Sequence, residues 1–334
     1  MRTSQAHIAG VGLSVSRESN DSLDKLAISA ATKALLDAGV IYGEVDECFA
    51  CFDHDLRIAP SSFDTLGMQG APICEVNNSF GLNAAAQSVW SRRANCSLVV
   101  GIDGAASNKT NRQSAIVAVV IVSDLFLTSH AYLKDGAVRI LGAALVSRFH
   151  SRTKGGEDSP RKIKTAVNSA LSQAKIDFKD VQVLDLVGSG LDKAALKTVG
   201  DVSRKSSPNN PVSSDATTGF TNLCGVVWQL RGWAGDAGVE VRNALQLTLD
   251  AAGVLGVLVL SRSDGRPALK WSEVENVRDG RERLGYNPAV ESRNISREDI
   301  ENVRAREHFV PANIDIKQLG FADKGGDRAA LARL

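Results

Sequence analysis

The sequence is poor in several things that would point to a function class. Aromatic residues make up only 5% of its 334 positions, and the formal net charge is +1. Nucleic-acid binding draws on a basic field and on aromatic stacking platforms, so no nucleic-acid partner is expected. Long hydrophobic runs are missing too. The longest, Ile116–Val122 and Ala251–Leu260, are too short to span a bilayer and read as buried strands, so no membrane span is expected. Five cysteines, an odd number, argue against a disulfide framework and for a reducing compartment. The five histidines are His7, His54, His130, His150 and His308, and no H-x-x-x-H spacing joins any two of them. The chain also lacks a G-x-S-x-G elbow, a Walker loop and a G-x-G-x-x-G after a strand. Neither a metal site nor a bound cofactor is expected. The start, "MRTSQAHIAGVGLSVS", has no charged-then-apolar pattern, so a secretory leader is not expected either.

What is present suits an ordinary globular α/β protein, 43% hydrophobic and 23% charged, long enough for a sizeable core. The first half alternates strands and helices. Strands are predicted at His7–Val15, Glu47–Phe52, Pro72–Val76 and Ser97–Ile102. Helices are predicted at Ser22–Ala38, capped by Asn20 or Asp21 and stopped by Gly39, then at Ser61–Met68 and Gly81–Ala94. Such alternation indicates a layered sheet. In "ECFACF" the strand period puts Cys48 and Cys51 on opposite faces. A buried strand is therefore preferred there to a metal or redox pair.

The second half repeats the first. "ALLDAGVIYGEVDEC" lies against "ALSQAKIDFKDVQVL", pairing Ala38 with Ala174, Val40 with Ile176, Glu44 with Asp180 and Val45 with Val181. "GLNAAAQSVWSRR" lies against "GFTNLCGVVWQLR", pairing Gly81 with Gly219, Trp90 with Trp228 and Arg93 with Arg231, each 138 apart. This is an internal duplication. It divides the chain into halves at 1–150 and 151–265, followed by an extension at 266–334. Two equivalent small-residue helices meeting centrally can converge their N-termini on one ligand and offer it backbone N–H donors.

Those helices also carry a resemblance. "SSFDTLGMQGAPICEVNNSFGLNAAAQ" resembles the nucleophile segment of thiolases of the sterol-carrier-protein-2 type, and "TTGFTNLCGVVWQLRGWAG" resembles the segment after that family's G-H-P motif. "GYNPAVESRNISREDIENVRAR" is similar to tails of peroxisomal members, notably fungal ones. The resemblance implies a thiolase fold: five layers, αβαβα, with two mixed sheets around a central helix layer, in a homodimer. It also gives weight to Ala332-Arg333-Leu334, a variant of the peroxisomal S-K-L address; without that address the chain is expected in the cytoplasm.

The departures decide the functional expectation. Phe80 stands where the family's acyl-accepting cysteine belongs, and its ring would fill the space of a thioester. Ser79 is one residue off, rotated by ~100° at a helix start, and reads as an N-cap. Ser213 takes the place of the general-base histidine and Ser214 that of the following proline; an unassisted serine is a poor base. "LVGS" (Leu186–Ser189) replaces the H-D-C-F-like segment, and "LTLDAAG" (Leu247–Gly253) replaces H-N-x-G-x-G-G. Most of the loop domain that binds coenzyme A in thiolases is absent, leaving Lys109 and Arg112 as isolated cations, so coenzyme A or acyl-coenzyme A is a doubtful ligand. The candidate ligand positions are Asn77, Asn78, Ser79, Phe80, Ser213, Ser214, Asp215 and Thr248. The candidates for replacement chemistry are Cys51 and His54, from the run "CFDHD", and Asp215. Three functions fit: a binder of an acyl, lipid or small hydrophobic ligand; a repurposed enzyme of cyclisation, acyl transfer or C–C chemistry; or a pseudoenzyme scaffold partnering an active thiolase or a biosynthetic enzyme.

Overall fold

The computed structural model describes residues 4–16, 22–52, 57–58, 61–64, 66, 71–104, 114–146, 158–187, 219–233, 241–249, 254–269 and 294–304. Strand β1 (Ala6–Val15) leads into helix α1 (Leu23–Ala38), whose start is fixed by the Ser22 hydroxyl accepting the Lys25 N–H at 3.1 Å. The cap is therefore Ser22, not Asn20 or Asp21, because only Ser22 directly precedes the first helical turn and reaches its N–H groups. Gly39, at φ 61°, closes the helix by donating to the Leu35 and Leu36 carbonyls, as the sequence indicated. Then come β2 (Glu47–Phe52), α2 (Ser61–Asp64), β3 (Ile73–Asn77), α3 (Asn78–Trp90), β4 (Cys96–Gly104) and β5 (Ser114–Ser123). A short helix, α4 (Asp124–Ser129), precedes β6 (Val138–Val146).

From β6 onward the second half repeats this series, with α5 (Asp158–Ala174), β7 (Val183–Val187), α6 (Gly219–Arg231), β8 (Asn243–Leu249) and β9 (Leu255–Arg262). The duplication read from the sequence is visible in pairing order. Outward from the middle, one half runs β1-β5-β4-β2-β3 and the other β6-β9-β8-β7. The two half-sheets were expected to be separate. They are instead joined edge to edge by three antiparallel pairs, Ala6 with Ile140, His7 with Arg139 and Ile8 with Val138. Both α3 and α6 touch strands of both half-sheets, while α1 covers the outer face of the first half and α5 that of the second. This gives the five-layered αβαβα arrangement. Cys48 lies in the outer core and Cys51 in the inner one, on opposite faces of β2. The last described helix, α7 (Arg297–Val303), belongs to the C-terminal extension and buries Ile300 and Val303 beside α1.

The duplication extends to irregular features. β1 has a register shift between Ile8 and Gly10, and β6 has one between Ile140 and Gly142. At both glycines a Cβ would collide with a helix carbonyl, Ala34 for Gly10 and Ala170 for Gly142, so close strand–helix packing requires glycine. The N–H beyond each shift is taken by a helix side chain: Val11 donates to Asp37 Oδ2 at 2.8 Å, and Ala143 to Gln173 Oε1 at 3.3 Å.

One member of the Arg93/Arg231 pair has become the tie between halves. Arg231, at the end of α6, donates through Nη1 to Asp37 Oδ2 (2.7 Å), through Nε to the Gly136 carbonyl (2.6 Å) and through Nη2 to the Ala9 carbonyl (2.9 Å). Both side chains of the ion pair are almost fully buried, at 3% and 2% exposure, and the guanidinium also lies 4.7 Å over the Trp233 ring. Arg93 instead holds Glu47 at 3.1 Å from a side chain that is 62% exposed. Removing one member of a buried pair costs about 3–5 kcal/mol, whereas an exposed pair contributes about 0–1 kcal/mol. Arg231→Met is thus expected to lose several kcal/mol of unfolding free energy and Arg93→Met less, because Arg93 is itself exposed and the buried Glu47 keeps the Ser97 hydroxyl at 2.8 Å, measured by urea denaturation.

The junction of the half-sheets also holds His7, which is buried. Its Nε2–H donates to Asp124 Oδ1 at 2.8 Å, a carboxylate being able only to accept, which leaves Nδ1 to accept the Ser263 hydroxyl at 2.7 Å. Burial lowers the His7 pKa below its ordinary 6.5, opposed by Asp124 and aided by Arg139. With the folded value depressed, the unfolded chain takes the proton first. Stability from this group is complete above about pH 6.5 and is lost as pH falls toward the folded value. The melting temperature of the wild type is expected to fall between pH 7.5 and 5, and that of His7→Gln to fall less steeply.

Candidate functional site

The inner helix layer is where the duplicated halves face each other. β3 ends at Asn77 and α3 begins at Asn78, three residues before the predicted start at Gly81. Ser79 therefore lies in the first helical turn rather than at a cap, and the partly exposed Phe80 lies in that same turn. The next residue, Gly81, sits directly over Cys51, and a Cβ there would collide with the Cys51 sulfur. That thiol is fully buried in the inner core, and its nearest polar partner is the Phe49 carbonyl at 3.9 Å. Burial pushes the Cys51 pKa well above that of a free thiol, the reverse of what activates a nucleophile.

The space between the two helix starts is occupied by a residue that the sequence reading passed over. Phe220, in the first turn of α6, is 4% exposed. A Cβ on Gly101 would stand 2.8 Å from the Phe220 ring, and one on Gly81 would stand 3.7 Å from its Cζ. The ring from the second half is thus seated against β4 and α3 of the first, across two glycines. The one available clue was that Gly219-Phe220 matches Gly81-Leu82, with an aromatic residue on one side only.

The matching place in the second half is polar. β7 and β8 run parallel, with Asp185 opposite Gln246 and Val187 opposite Thr248. Asp185 accepts from Gln246 Nε2 at 3.0 Å and from Asn222 Nδ2, on α6, at 3.1 Å. Gln246 is buried, whereas Asp185, Asn222 and Thr248 are each partly exposed. The Asp185 pKa is raised, chiefly by desolvation and against the two amide hydrogen bonds. In the first half the equivalent strand pair is Phe49 opposite Val99, and the residue equivalent to Asn222 is Ala84, so the same layer is apolar there. Asp185, Asn222 and Gln246 were not singled out from the sequence, since single polar residues inside apolar strands resemble ordinary edge positions. Thr248 was; its hydroxyl lies against Gly256, where a Cβ would come within 2.9 Å.

Of the other predicted site residues, His54, Ser213, Ser214 and Asp215 lie outside the described residues, as do Lys109, Arg112 and the C-terminal Ala332-Arg333-Leu334. The side chains of Asn78 and Ser79 are likewise outside the description. Among the described residues no group of three or more His, Cys, Asp or Glu side chains could hold a metal ion, and no helix is long and apolar enough to cross a membrane. The connection from β4 to β5 is residues 105–113, and that from β5 to β6 is residues 124–137, so neither leaves length for a loop domain.

The chain matches no family profile and no curated protein sequence. Its architecture does have solved counterparts. It is similar to a monomeric SCP2-thiolase-like protein type 1 from Mycobacterium smegmatis at a TM-score of 0.61 and 14% identity, covering 83% of this chain and 82% of that one. It is similar to the Ltp2–ChsH2(DUF35) aldolase at a TM-score of 0.63 and 15% identity, over 78% of this chain and 98% of that one. It also resembles the 3-oxoacyl-[acyl-carrier-protein] synthase III of Aquifex aeolicus at 0.55 and 13% identity, over 77% and 99%. The chain has the thiolase fold. At these identities the likeness establishes the architecture alone, and within the thiolase fold the first half's inner face is sealed by Phe220 while the second carries Asp185.

The seal makes a stability prediction. Gly81→Ala forces a methyl onto the Cys51 sulfur, and overpacking of this kind costs about 1–3 kcal/mol. Adding Cys51→Ala removes the sulfur, so the double variant is expected to recover more than half of that loss in urea denaturation. Native Cys51 is expected to resist iodoacetamide until the protein unfolds.

Proposed function

We propose that this chain is a thiolase-like protein, related to the sterol-carrier-protein-2 type, that works without the cysteine mechanism and binds an acyl, lipid or small hydrophobic ligand in the remnant pocket of the inner layer, on the second-half side of Phe220. The observation that carries this reading is the chemistry at the start of α3. Phe80 stands in the turn where the resembled family keeps its nucleophile, and the thiol beneath that turn, Cys51, is buried with its pKa raised. Thiolytic and Claisen chemistry both need a thiolate at this point. A repurposed enzyme, acting by positioning rather than through a covalent thioester, would use the same pocket and is separated from a binder by finding turnover.

The C-terminal Ala332-Arg333-Leu334 supports a peroxisomal address. A homodimer is the assembly that the resemblance implies. A second reading, a pseudoenzyme subunit with an active thiolase or biosynthetic partner, is favoured by one neighbour, whose structure is described as an Ltp2–ChsH2(DUF35) aldolase.

Phe80→Cys combined with Ser213→His is expected to show no thiolysis of acetoacetyl-coenzyme A, because the loop domain is reduced. Clear turnover by that variant would sink the proposal. A screen of acyl-coenzymes A and lipid extracts by thermal shift and native mass spectrometry is expected to find a hydrophobic ligand. A stable hetero-complex without any ligand would favour the subunit reading.

A further inference from the structure

Resting on the ligand-binding reading above, we infer that Asp185 is the polar anchor of the site and selects an alkylamine, a protonated amine on an apolar chain. The inner layer is otherwise apolar around it: Val183, Val187 and Ala244 are buried, and Leu258 and Leu260 line the adjoining strand. Among the described residues no lysine or arginine pairs with the Asp185 carboxylate. Its two oxygens are each held by one neutral amide, Asn222 to Oδ1 and Gln246 to Oδ2. A carboxylate oxygen has two lone pairs, so each oxygen keeps an acceptor site beyond the bond already made.

The comparison between halves argues that this is a built feature. Three equivalent positions on three elements are Phe49, Ala84 and Val99 in the first half and Asp185, Asn222 and Gln246 in the second. A packing role alone is met by the apolar set, as the first half demonstrates. The polar set adds a fixed, partly exposed negative charge in the middle of β7, beside the first turn of α6 and within one strand pair of Thr248. The two amides orient the carboxylate without cancelling its charge. A hydroxyl would satisfy a lone pair and leave that charge uncompensated in a largely apolar layer; an ammonium ion does both. The apolar surroundings then suit the alkyl chain.

The test uses hexylamine, 1-hexanol and hexanoate as probes on the full chain, with affinities from ligand-observed NMR titration. The wild type is expected to bind hexylamine about tenfold more tightly than 1-hexanol, the scale of one charge-assisted hydrogen bond, and to reject hexanoate. Asp185→Asn, which keeps the shape and one acceptor, is expected to erase that preference, so that hexylamine and 1-hexanol bind within about twofold of each other. Wild-type preference for 1-hexanol or hexanoate would overturn the amine assignment and leave the hydrophobic-ligand reading standing. An amine preference that survives in Asp185→Asn would overturn the role of Asp185. Should none of the three bind while a lipid or acyl-coenzyme A does, the anchor is overturned alone; should nothing bind in either screen, both readings fall.

Discussion

Everything in this molecule hangs on how the two halves are held across the inner helix layer, and the tie is the buried Arg231–Asp37 pair. The guanidinium of Arg231 leaves the end of α6 in the second half and spends its donors on Asp37 of α1, the Ala9 carbonyl of β1 and the Gly136 carbonyl before β6. Asp37 meanwhile accepts the Val11 N–H freed by the register shift in β1. A buried charge pair is a weak source of net stability, since desolvation offsets much of the attraction. Its strength lies in what it forbids: any rearrangement of α6 against β1 separates two buried charges and takes the Arg231 donors from two carbonyls. The pair fixes the relative placement of the halves more than it deepens the energy of folding.

That fixed placement lets duplicated elements diverge. Arg93 and Arg231 began as equivalents, yet one is a half-exposed surface residue and the other is the central tie. The starts of α3 and α6 show the same divergence. On the first side Gly101 gives up its side-chain volume so that the Phe220 ring can enter from the opposite half, and Gly81 gives up its own to the Cys51 sulfur. On the second side an Asp–Asn–Gln cluster takes the positions that Phe49, Ala84 and Val99 fill on the first. Packing of this density tolerates few changes of volume, so a single aromatic residue crossing between halves constrains three elements at once.

Much of the architecture was legible in the sequence because it is periodic. The alternation of apolar runs with small-residue helices gave the layers, and the constant spacing of Gly81/Gly219 and Trp90/Trp228 gave the duplication. Gly39 was readable as a stop because a left-handed residue at a helix end favours glycine. The misread features are helix boundaries and strand pairings that no periodicity marks. The helix start at Asn78 rather than Gly81, and the cap at Ser22, depend on where the chain leaves a strand or loop. The edge pairing of β1 with β6 joins segments far apart in the chain, which no local pattern encodes. The site was less legible than the fold for the same reason. Asp185, Asn222 and Gln246 come from β7, α6 and β8 and become a cluster only when those elements pack. Resemblance drew attention to Phe80, but the residue that closes the junction is Phe220, whose partners are glycines and therefore leave no side-chain signature.

The two thiol-related facts now bear on each other. A reactive cysteine in this fold needs a helix start beneath it and solvent or substrate in front of it, because both stabilise the thiolate. Cys51 has neither: it sits under α3 rather than ahead of it, walled by Gly81 and Val99, and burial holds its proton. Making it reactive would require moving α3 away from β2, and α3 cannot move without disturbing Phe220 and, through α6, the Arg231 tie. The carboxylate of Asp185 escapes that constraint. It lies on the other half-sheet, is held by side chains rather than sealed by a backbone, and keeps partial exposure. With the first half closed at the start of α3 by Phe220, the partly exposed charge of the inner layer lies in the second half, on Asp185.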